Sequence, residues 1–276
     1  MRCISITFIN RIIVSVHTST RLFFRINASL YVRKGRWPYS VFITCLIKEG
    51  VMADLIDTTE MYLKTILELE EDGVTPLRAR IVDRLGHSGP TVSQTVARME
   101  RDGLLHVMGD RRLELTEAGR AHATEVLRKH RLAERLLLDV IGMEWAQVHD
   151  EACRWEHVMS DAVEARLQEL LTNTCVDPYG NPMPGCEQLE GAYSAELAVR
   201  SLEAGVLTLA RIGEPIQADA ELLASFDELG LRPGARVELS AHGDVVRVAA
   251  FDEAGNVRGY LTMPMALAAH LFVRGE

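Results

Sequence analysis

The stretch His149-Asp-Glu-Ala-Cys153-Arg-Trp-Glu156-His157 sets an imidazole, a thiol, a carboxylate and a second imidazole at offsets of zero, four, seven and eight. With 3.6 residues per helical turn, those four side chains fall close to one face of a single helix. All four are donor types for a late first-row divalent metal. Upstream, His130 and Glu134 repeat the arrangement at i, i+4. A chain patterned in this way is constrained to helices that converge on a transition metal, and the question becomes what the metal is for.

The chain has 276 residues, 47% hydrophobic and 25% charged, which suits roughly one to three globular domains and argues against disorder. A net charge of −9 runs against nucleic-acid binding until its distribution is read. Residues 1–51 carry eight Lys/Arg against one Glu, leaving 22 basic and 38 acidic side chains for residues 52–276. Inside that acidic remainder, residues 76–112 hold seven Arg against four acids. One basic island in an acidic protein requires a reason.

Residues 1–51 read unlike the rest. Their apolar runs are short and broken by Arg11, Arg21, Arg25 and Arg33, below the roughly 18 residues of a membrane span and without a clear secretory cleavage site. The codons for Lys48-Glu49-Gly50 can spell a bacterial ribosome-binding site just upstream of Met52. Translation is therefore expected to start at Met52, with 1–51 a mis-called leader; the alternative is a disordered basic extension used for targeting. Of five Cys, Cys3 and Cys45 lie in that segment, and Cys153, Cys175 and Cys186 form no paired framework, which fits a reducing cytoplasm. Cys175 and Cys186 flank a Pro-rich segment, as free thiols or as a redox pair.

Asp57-Thr-Thr-Glu60 is a capping-box arrangement opening an amphipathic helix to about Glu71. Thr75-Pro76 predicts a second helix to about Leu85, and Pro90 starts a third that ends at Gly103. Leu104–Met108 and Arg112–Leu115 flank Gly109-Asp110, a hairpin signal. Thr116 opens a long helix to about Val140, followed by helices over Trp145–His157 and Asp161–Leu171. Asp177–Gly185 is too rich in Pro and Gly for either regular structure and reads as extended linker. From Val206 the pattern turns to short antiparallel strands, suggesting a small SH3-like barrel. The expected class is mainly α with a small β domain: a winged helix-turn-helix at 52–116, a helical metal domain at 117–189 and an SH3-like domain at 205–276.

Helix, helix, turn, helix, hairpin is winged helix-turn-helix order. Its third helix would present Ser88, Pro90, Thr91, Ser93, Gln94 and Arg98 outward, where hydroxyls and an amide reach base edges or phosphates and Pro90 packs on a thymine methyl. Arg78, Arg80, Arg98, Arg101 and Arg111 would supply salt-dependent phosphate contacts. The plainer reading is a structural helical hairpin with a solvated Arg face. The element order, the polar third helix and the exclusive use of Arg favour DNA.

The blocks Asp57-Thr-Thr-Glu-Met-Tyr-Leu, Thr75-Pro-Leu-Arg-Ala-Arg, Ser88–Gly103, Arg128–Leu137 and Cys153–Asp161 closely resemble the diphtheria toxin repressor family of iron-dependent regulators, nearly continuously from about Asp54 to Leu189. The resemblance implies a DNA-binding domain, a helical dimerisation and metal domain, and a flexibly attached SH3-like domain. It implies a primary, activating metal site at Met61, Cys153, Glu156 and His157. It implies an ancillary site at His130, Glu134 and His149, completed by Glu214 and Gln217. Two Fe(II) per subunit follow, with Co, Ni, Mn or Zn as surrogates. The implied partners are a pseudo-palindromic operator and a second copy of the chain, with one or two dimers per operator and no membrane. An anion pocket of some members maps to Arg131 and Asn181, but Asp177 replaces a Ser there, and a carboxylate would repel an anion.

Taken singly, Met61 is ordinary core packing, Cys153 a small hydrophobe and His130–Glu134 a surface ion pair; together they point to metal. The soft Met61 and Cys153 favour Fe(II) over Mn(II). The expected function is an Fe(II)-activated dimeric repressor of iron-uptake and siderophore genes, the ion selecting the DNA-competent conformation. A manganese or broad divalent-metal regulator of the same architecture is the alternative. A metalloenzyme would need an open coordination position and would leave the basic island unexplained.

Overall fold

The computed structural model describes residues 57–187, 190–201 and 205–275; the expectations for residues 1–51 lie outside the described residues. The first described helix, α1 (Thr58–Glu71), is capped by Asp57, whose carboxylate accepts from the Thr59 and Glu60 amides, a contribution of about 1 kcal/mol. A helix of 14 residues is marginal alone in water. Burial holds this one, because Tyr62, Leu63, Ile66, Leu67 and Leu69 are all enclosed and each contributes roughly 1.5–3 kcal/mol. Burial is unbroken from Tyr62 to Leu69, so α1 carries Lys64, Thr65 and Glu68 inside with its apolar side chains.

Helices α2 (Arg78–Leu85) and α3 (Gly89–Arg101) follow, then the wing of β1 (Leu105–Val107) and β2 (Leu113–Leu115). Helix α2 starts at Arg78 rather than at Pro76. The Pro76 carbonyl is taken by the Leu113 amide of the wing at 2.9 Å, and Leu77 stays extended. Helix α3 begins as its sequence predicts, with the Ser88 hydroxyl accepting from the Thr91 amide. The wing pairs Leu105 with Leu115 and Val107 with Leu113. Its left-handed residue is Arg111, at φ 70°, rather than a glycine of the Gly109-Asp110 signal. Ile81, Val92, Val96, Met99, Leu105 and Leu113 close over α1 to form this domain's core.

Helix α4 (Glu117–Arg135) packs against α1 and runs into a π-helical turn, Leu136–Ile141, that Gly142 ends in the left-handed region. A 3₁₀ turn at Trp145–Gln147 leads into α5 (Val148–Trp155), and α6 (Asp161–Leu170) follows, capped by Ser160. The donor run is thus not one helix throughout. His149 and Cys153 share α5, whereas Glu156 is its C-cap and His157 leaves from the terminating turn.

The segment Asp177–Gly185 departs from the extended linker that its composition predicts. One Asp177 carboxylate oxygen accepts from the Tyr179 and Asn181 amides, both at 2.8 Å, folding it into a turn. Tyr179, Asn181 and Met183 are buried. The turn docks on β4 (Leu207–Ile212): the Ile212 amide donates to the Tyr179 carbonyl at 2.9 Å, and a Cβ on Gly180 would meet the Ala210 carbonyl oxygen at 2.4 Å. Sequence composition reports the absence of helix and strand, which a buried turn shares with a free linker.

The C-terminal domain is a six-stranded antiparallel sheet in the order β3-β8-β4-β5-β6-β7, comprising β3 (Tyr193–Ser194), β4, β5 (Arg236–His242), β6 (Val245–Phe251), β7 (Val257–Pro264) and β8 (Leu271–Gly275). This is the predicted SH3-like architecture. Helices α7 (Ala195–Arg200), α8 (Glu214–Gln217), α9 (Ala220–Glu228) and α10 (Met265–Ala268) interrupt it. Trp145 and Tyr179 enter its core, joining it to the helical domain. No described helix is long and apolar enough to cross a membrane.

Gly119, in the first turn of α4, lies where the chain passes under the wing: a Cβ there would stand 1.8 Å from the Leu104 carbonyl oxygen. Backbone cannot yield as a side chain does. Gly119→Ala is expected to cost about 2–3 kcal/mol and to lower the Tm of the metal-stripped protein by roughly 5–10 °C in a thermal melt.

Candidate metal centre

Helix α4 contributes His130 and Glu134 one turn apart, and α5 contributes His149 and Cys153 at the same spacing, so two pairs of donors face each other across the α4–α5 contact. Ligand atoms of His130, His149 and Cys153 lie within 4.8 Å of one another. Glu134 Oε1 stands 2.8 Å from His130 Nε2 and 3.2 Å from His149 Nδ1. Glu156 Oε2 is 2.6 Å from His130 Nδ1. From the C-terminal domain, Glu214 brings its carboxylate within 3.5 Å of His130 Nε2 and 3.6 Å of His149 Nε2.

The structure brings Cys153 and Glu156 of one implied site against His130 and His149 of the other. Cys153 Sγ is 3.5 Å from His149 Nε2, an unavoidable proximity for residues one turn apart. His157 faces α1, with Nδ1 2.7 Å from Glu60 Oε2, and keeps only Glu156 of the donors close, with Nε2 3.2 Å from its Oε1. Met61 packs, partly buried, on the fringe of the winged-helix core. Gln217 is buried and donates through Nε2 to the Ile212 carbonyl at 2.6 Å.

Sequence reasoning missed Lys64, Glu68 and Arg84. Lys64 Nζ lies 2.8 Å from Glu156 Oε2 and 3.4 Å from Glu214 Oε1, and Arg84 reaches Glu68 at 3.1 Å and Glu214 at 3.6 Å. The available signal was a Lys–Glu pair at i, i+4 on a helix otherwise lined with apolar residues.

Burial works against charge throughout this cluster, and neighbouring opposite charges decide the outcome. Burial raises the Cys153 thiol, yet His149, Lys64 and His130 bring it down to about 6. Burial also raises Glu134, but His130 and His149 hold it at about 2. His130 is depressed by burial and by Lys64, and the acids Glu134 and Glu156 with Cys153 carry it well above the usual imidazole value. His149 is raised likewise by Cys153 and Glu214 against its burial.

The donor set fits a late first-row divalent ion: two imidazoles, a thiol held towards its anion, and carboxylates kept ionised. Among the described residues, three buried carboxylate or amide oxygens, Glu68 Oε1, Glu134 Oε2 and Gln217 Oε1, have no hydrogen-bond partner. Burying such a group unpaired costs about 1–3 kcal/mol, which coordination would offset.

Beside the cluster, Arg131 pairs with Glu71 at 2.5 Å and with Asp177 at 3.7 Å, and Asn181 Nδ2 donates to Asp177 at 2.8 Å and to the Ile212 carbonyl at 3.0 Å. The protein's own carboxylates thus take the groups that an external anion would use. In the winged-helix domain, Ser88, Pro90, Thr91, Ser93, Gln94, Arg98, Arg101, Arg80 and Arg111 are exposed, and Arg78 is half-buried. Arg98 donates to the Thr59 hydroxyl at 3.1 Å, which steadies α3 against the start of α1.

Two family models match the chain: iron dependent repressor, N-terminal DNA binding domain, over residues 54–113, and iron dependent repressor, metal binding and dimerisation domain, over residues 116–185. The chain is 57% identical over 195 residues to the iron-dependent repressor IdeR of Mycobacterium tuberculosis, covering 67% of this chain and 85% of that one. It is 51% identical over 236 residues to the diphtheria toxin repressor of Corynebacterium jeikeium, covering 78% and 96%. Among solved structures, a manganese-dependent transcriptional repressor in complex with manganese superposes with a TM-score of 0.66 at 27% identity, covering 79% of this chain and 100% of that one.

The neighbouring acids raise the proton affinity of His130 and His149, and a metal ion must displace any proton they hold. Those protons stabilise the metal-stripped protein below the free imidazole pKa, and that contribution is lost as pH rises through the raised folded-state values. Co(II) affinity, read from its visible absorption, is therefore expected to fall as pH is lowered, and to begin falling above the ~6.5 of a free imidazole. An affinity constant from about pH 9 to about pH 6 would contradict this.

Proposed function

The chain belongs to the iron-dependent repressor family, and we propose that it is an Fe(II)-activated dimeric repressor of iron-uptake and siderophore genes, acting in the cytoplasm. It is a metal-dependent transcriptional repressor, and the family is not one of enzymes. The observation that carries the iron reading is the donor cluster itself, which brings α1 of the DNA-binding domain together with α4, α5 and the C-terminal Glu214. Two Fe(II) per subunit are proposed, with Co, Ni, Mn or Zn as surrogates. Met61, Cys153, Glu156 and His157 would hold the activating ion, and His130, Glu134, His149, Glu214 and Gln217 the ancillary one. When bound, the ion supplies a cross-link between donors on separate domains.

This chain's residues do the rest. Met61 and Glu60 lie on α1, so engagement of Met61 and the Glu60–His157 contact both fix the DNA-binding domain against the metal domain. The exposed polar face of α3, with Ser88, Pro90, Thr91, Ser93 and Gln94, would read bases in a major groove, and Arg78, Arg80, Arg98, Arg101 and Arg111 would contact phosphates. The second copy is proposed to cover the apolar face of α6 and the turns beside it. There exposed Val158 and Val163, with Leu136, Trp155 and Met159, line a groove of about 200 Å³, and Leu170 at the end of α6 is exposed as well. Dimerisation would present two recognition helices to successive grooves of a pseudo-palindromic operator, bound by one or two dimers.

Manganese is the second reading, favoured by the carboxylates of Glu134, Glu156 and Glu214, which are hard donors. Operator gel shifts with Fe(II) or Co(II) present and absent are expected to show binding only with metal; equal shifts without metal would refute the linkage. Replacing both soft donors, Met61→Asp with Cys153→Asp, is expected to move activation towards Mn(II) by about tenfold relative to Co(II) in the same assay. An unchanged preference would remove the soft-donor argument for iron.

A further inference from the structure

Lys64 enters the donor cluster from α1, and its ammonium is buried. Its own i, i+4 partner, Glu68, stands 3.7 Å away. Groups from other elements are closer or comparable: Glu156 Oε2 at 2.8 Å, His130 Nδ1 at 3.1 Å, Glu214 Oε1 at 3.4 Å and Cys153 Sγ at 4.0 Å. A lysine serving only α1 would settle on Glu68. This one reaches past Glu68 to donors carried by α4, α5 and α8.

An ammonium–carboxylate contact runs about 2.7–2.9 Å, whereas bonds to a first-row divalent ion run about 2.0–2.3 Å. The two cations need the same lone pairs on Glu156 and Cys153, and one set of lone pairs serves one cation at a time. Glu156 Oε2 is already shared, lying 2.6 Å from His130 Nδ1 and 2.8 Å from Lys64 Nζ. Lysine is also suited to leaving: its charge sits on a four-carbon stem that can swing along the helix surface.

We propose that Lys64 is a tethered internal competitor for the metal donors, so that a divalent ion binds only as the Lys64 ammonium withdraws. The proposal rests on the reading of this cluster as a metal centre. By opposing entry, Lys64 raises the metal concentration needed for activation. It also keeps α1 attached to the metal domain until Met61, one turn earlier on the same helix face, takes over that attachment.

The chain contains only four lysines, Lys34, Lys48, Lys64 and Lys129, so lysine acetylation followed by mass spectrometry reads Lys64 directly in the unaltered protein. Lys129, paired with Glu125 and Asp161, is the internal reference. Lys64 is expected to label about tenfold faster in Co(II)-saturated than in metal-stripped protein, with Lys129 unchanged. Lys64→Met, in the full chain, is expected to bind Co(II) about tenfold more tightly by absorption titration and to melt at a lower temperature when stripped of metal. Lys64 labelling that is equal or slower with Co(II) overturns the proposal, as does a folded Lys64→Met protein whose Co(II) affinity is equal to or weaker than the parent's. Failure of the parent to bind Co(II) at all would overturn the metal-centre reading as well, which separates the two failures.

Discussion

Enclosure of α1 on every side is the constraint from which the rest of the arrangement follows. A recognition domain of this kind needs only one apolar stripe on its first helix, yet here burial is continuous from Tyr62 to Leu69 and includes Lys64 and Glu68. Desolvating each of those charges costs several kcal/mol unless partners surround it. The winged domain supplies Arg84, and the remaining partners come from α4, the α5 turn and the C-terminal domain. Charge satisfaction in one domain is thereby made to depend on the position of two others. The far end of α1 is held in the same manner. Asp72 accepts from Arg211 at 2.7 Å and faces His270 at 2.6 Å, and the Arg211 guanidinium lies 3.4 Å from the Phe272 ring centroid.

The C-terminal domain makes two contacts with the helical domain at once. Glu214 reaches the donor cluster, while β4 of the same domain carries the buried Asp177–Asn181 turn. Both contacts flank Ile212: its amide and carbonyl bind the turn, and Glu214 follows after Gly213. One strand end therefore addresses the Pro-rich segment and the metal donors together, and displacing either disturbs the other. Asp177, unpromising as part of an anion pocket, is instead the residue that folds the turn.

Much of this was legible locally. The helix starts read at Asp57 and Thr116 act through hydrogen bonds to amides two or three residues on, so their signals survive in any context. The i, i+4 donor pairs His130–Glu134 and His149–Cys153 are likewise fixed by helix geometry alone. What failed was non-local. Helix α2 starts late because a wing amide claims the Pro76 carbonyl, and the Pro-rich stretch is buried because β4 accepts it. Lys64 went unnoticed because a lysine four residues before a glutamate normally marks a solvated face.

The sequence by itself determined the order of elements, the polar face of α3 and the identity of the metal-type donors, since each depends on side-chain chemistry and spacing within a few turns. Only the tertiary structure decided that His130, Glu134, His149, Cys153 and Glu156 form one connected cluster, how closely Glu214 approaches it, and that an ammonium stands among them. The reason is physical: burial turns a residue's charge into a demand on whatever packs against it, and no local spacing records which segments will answer.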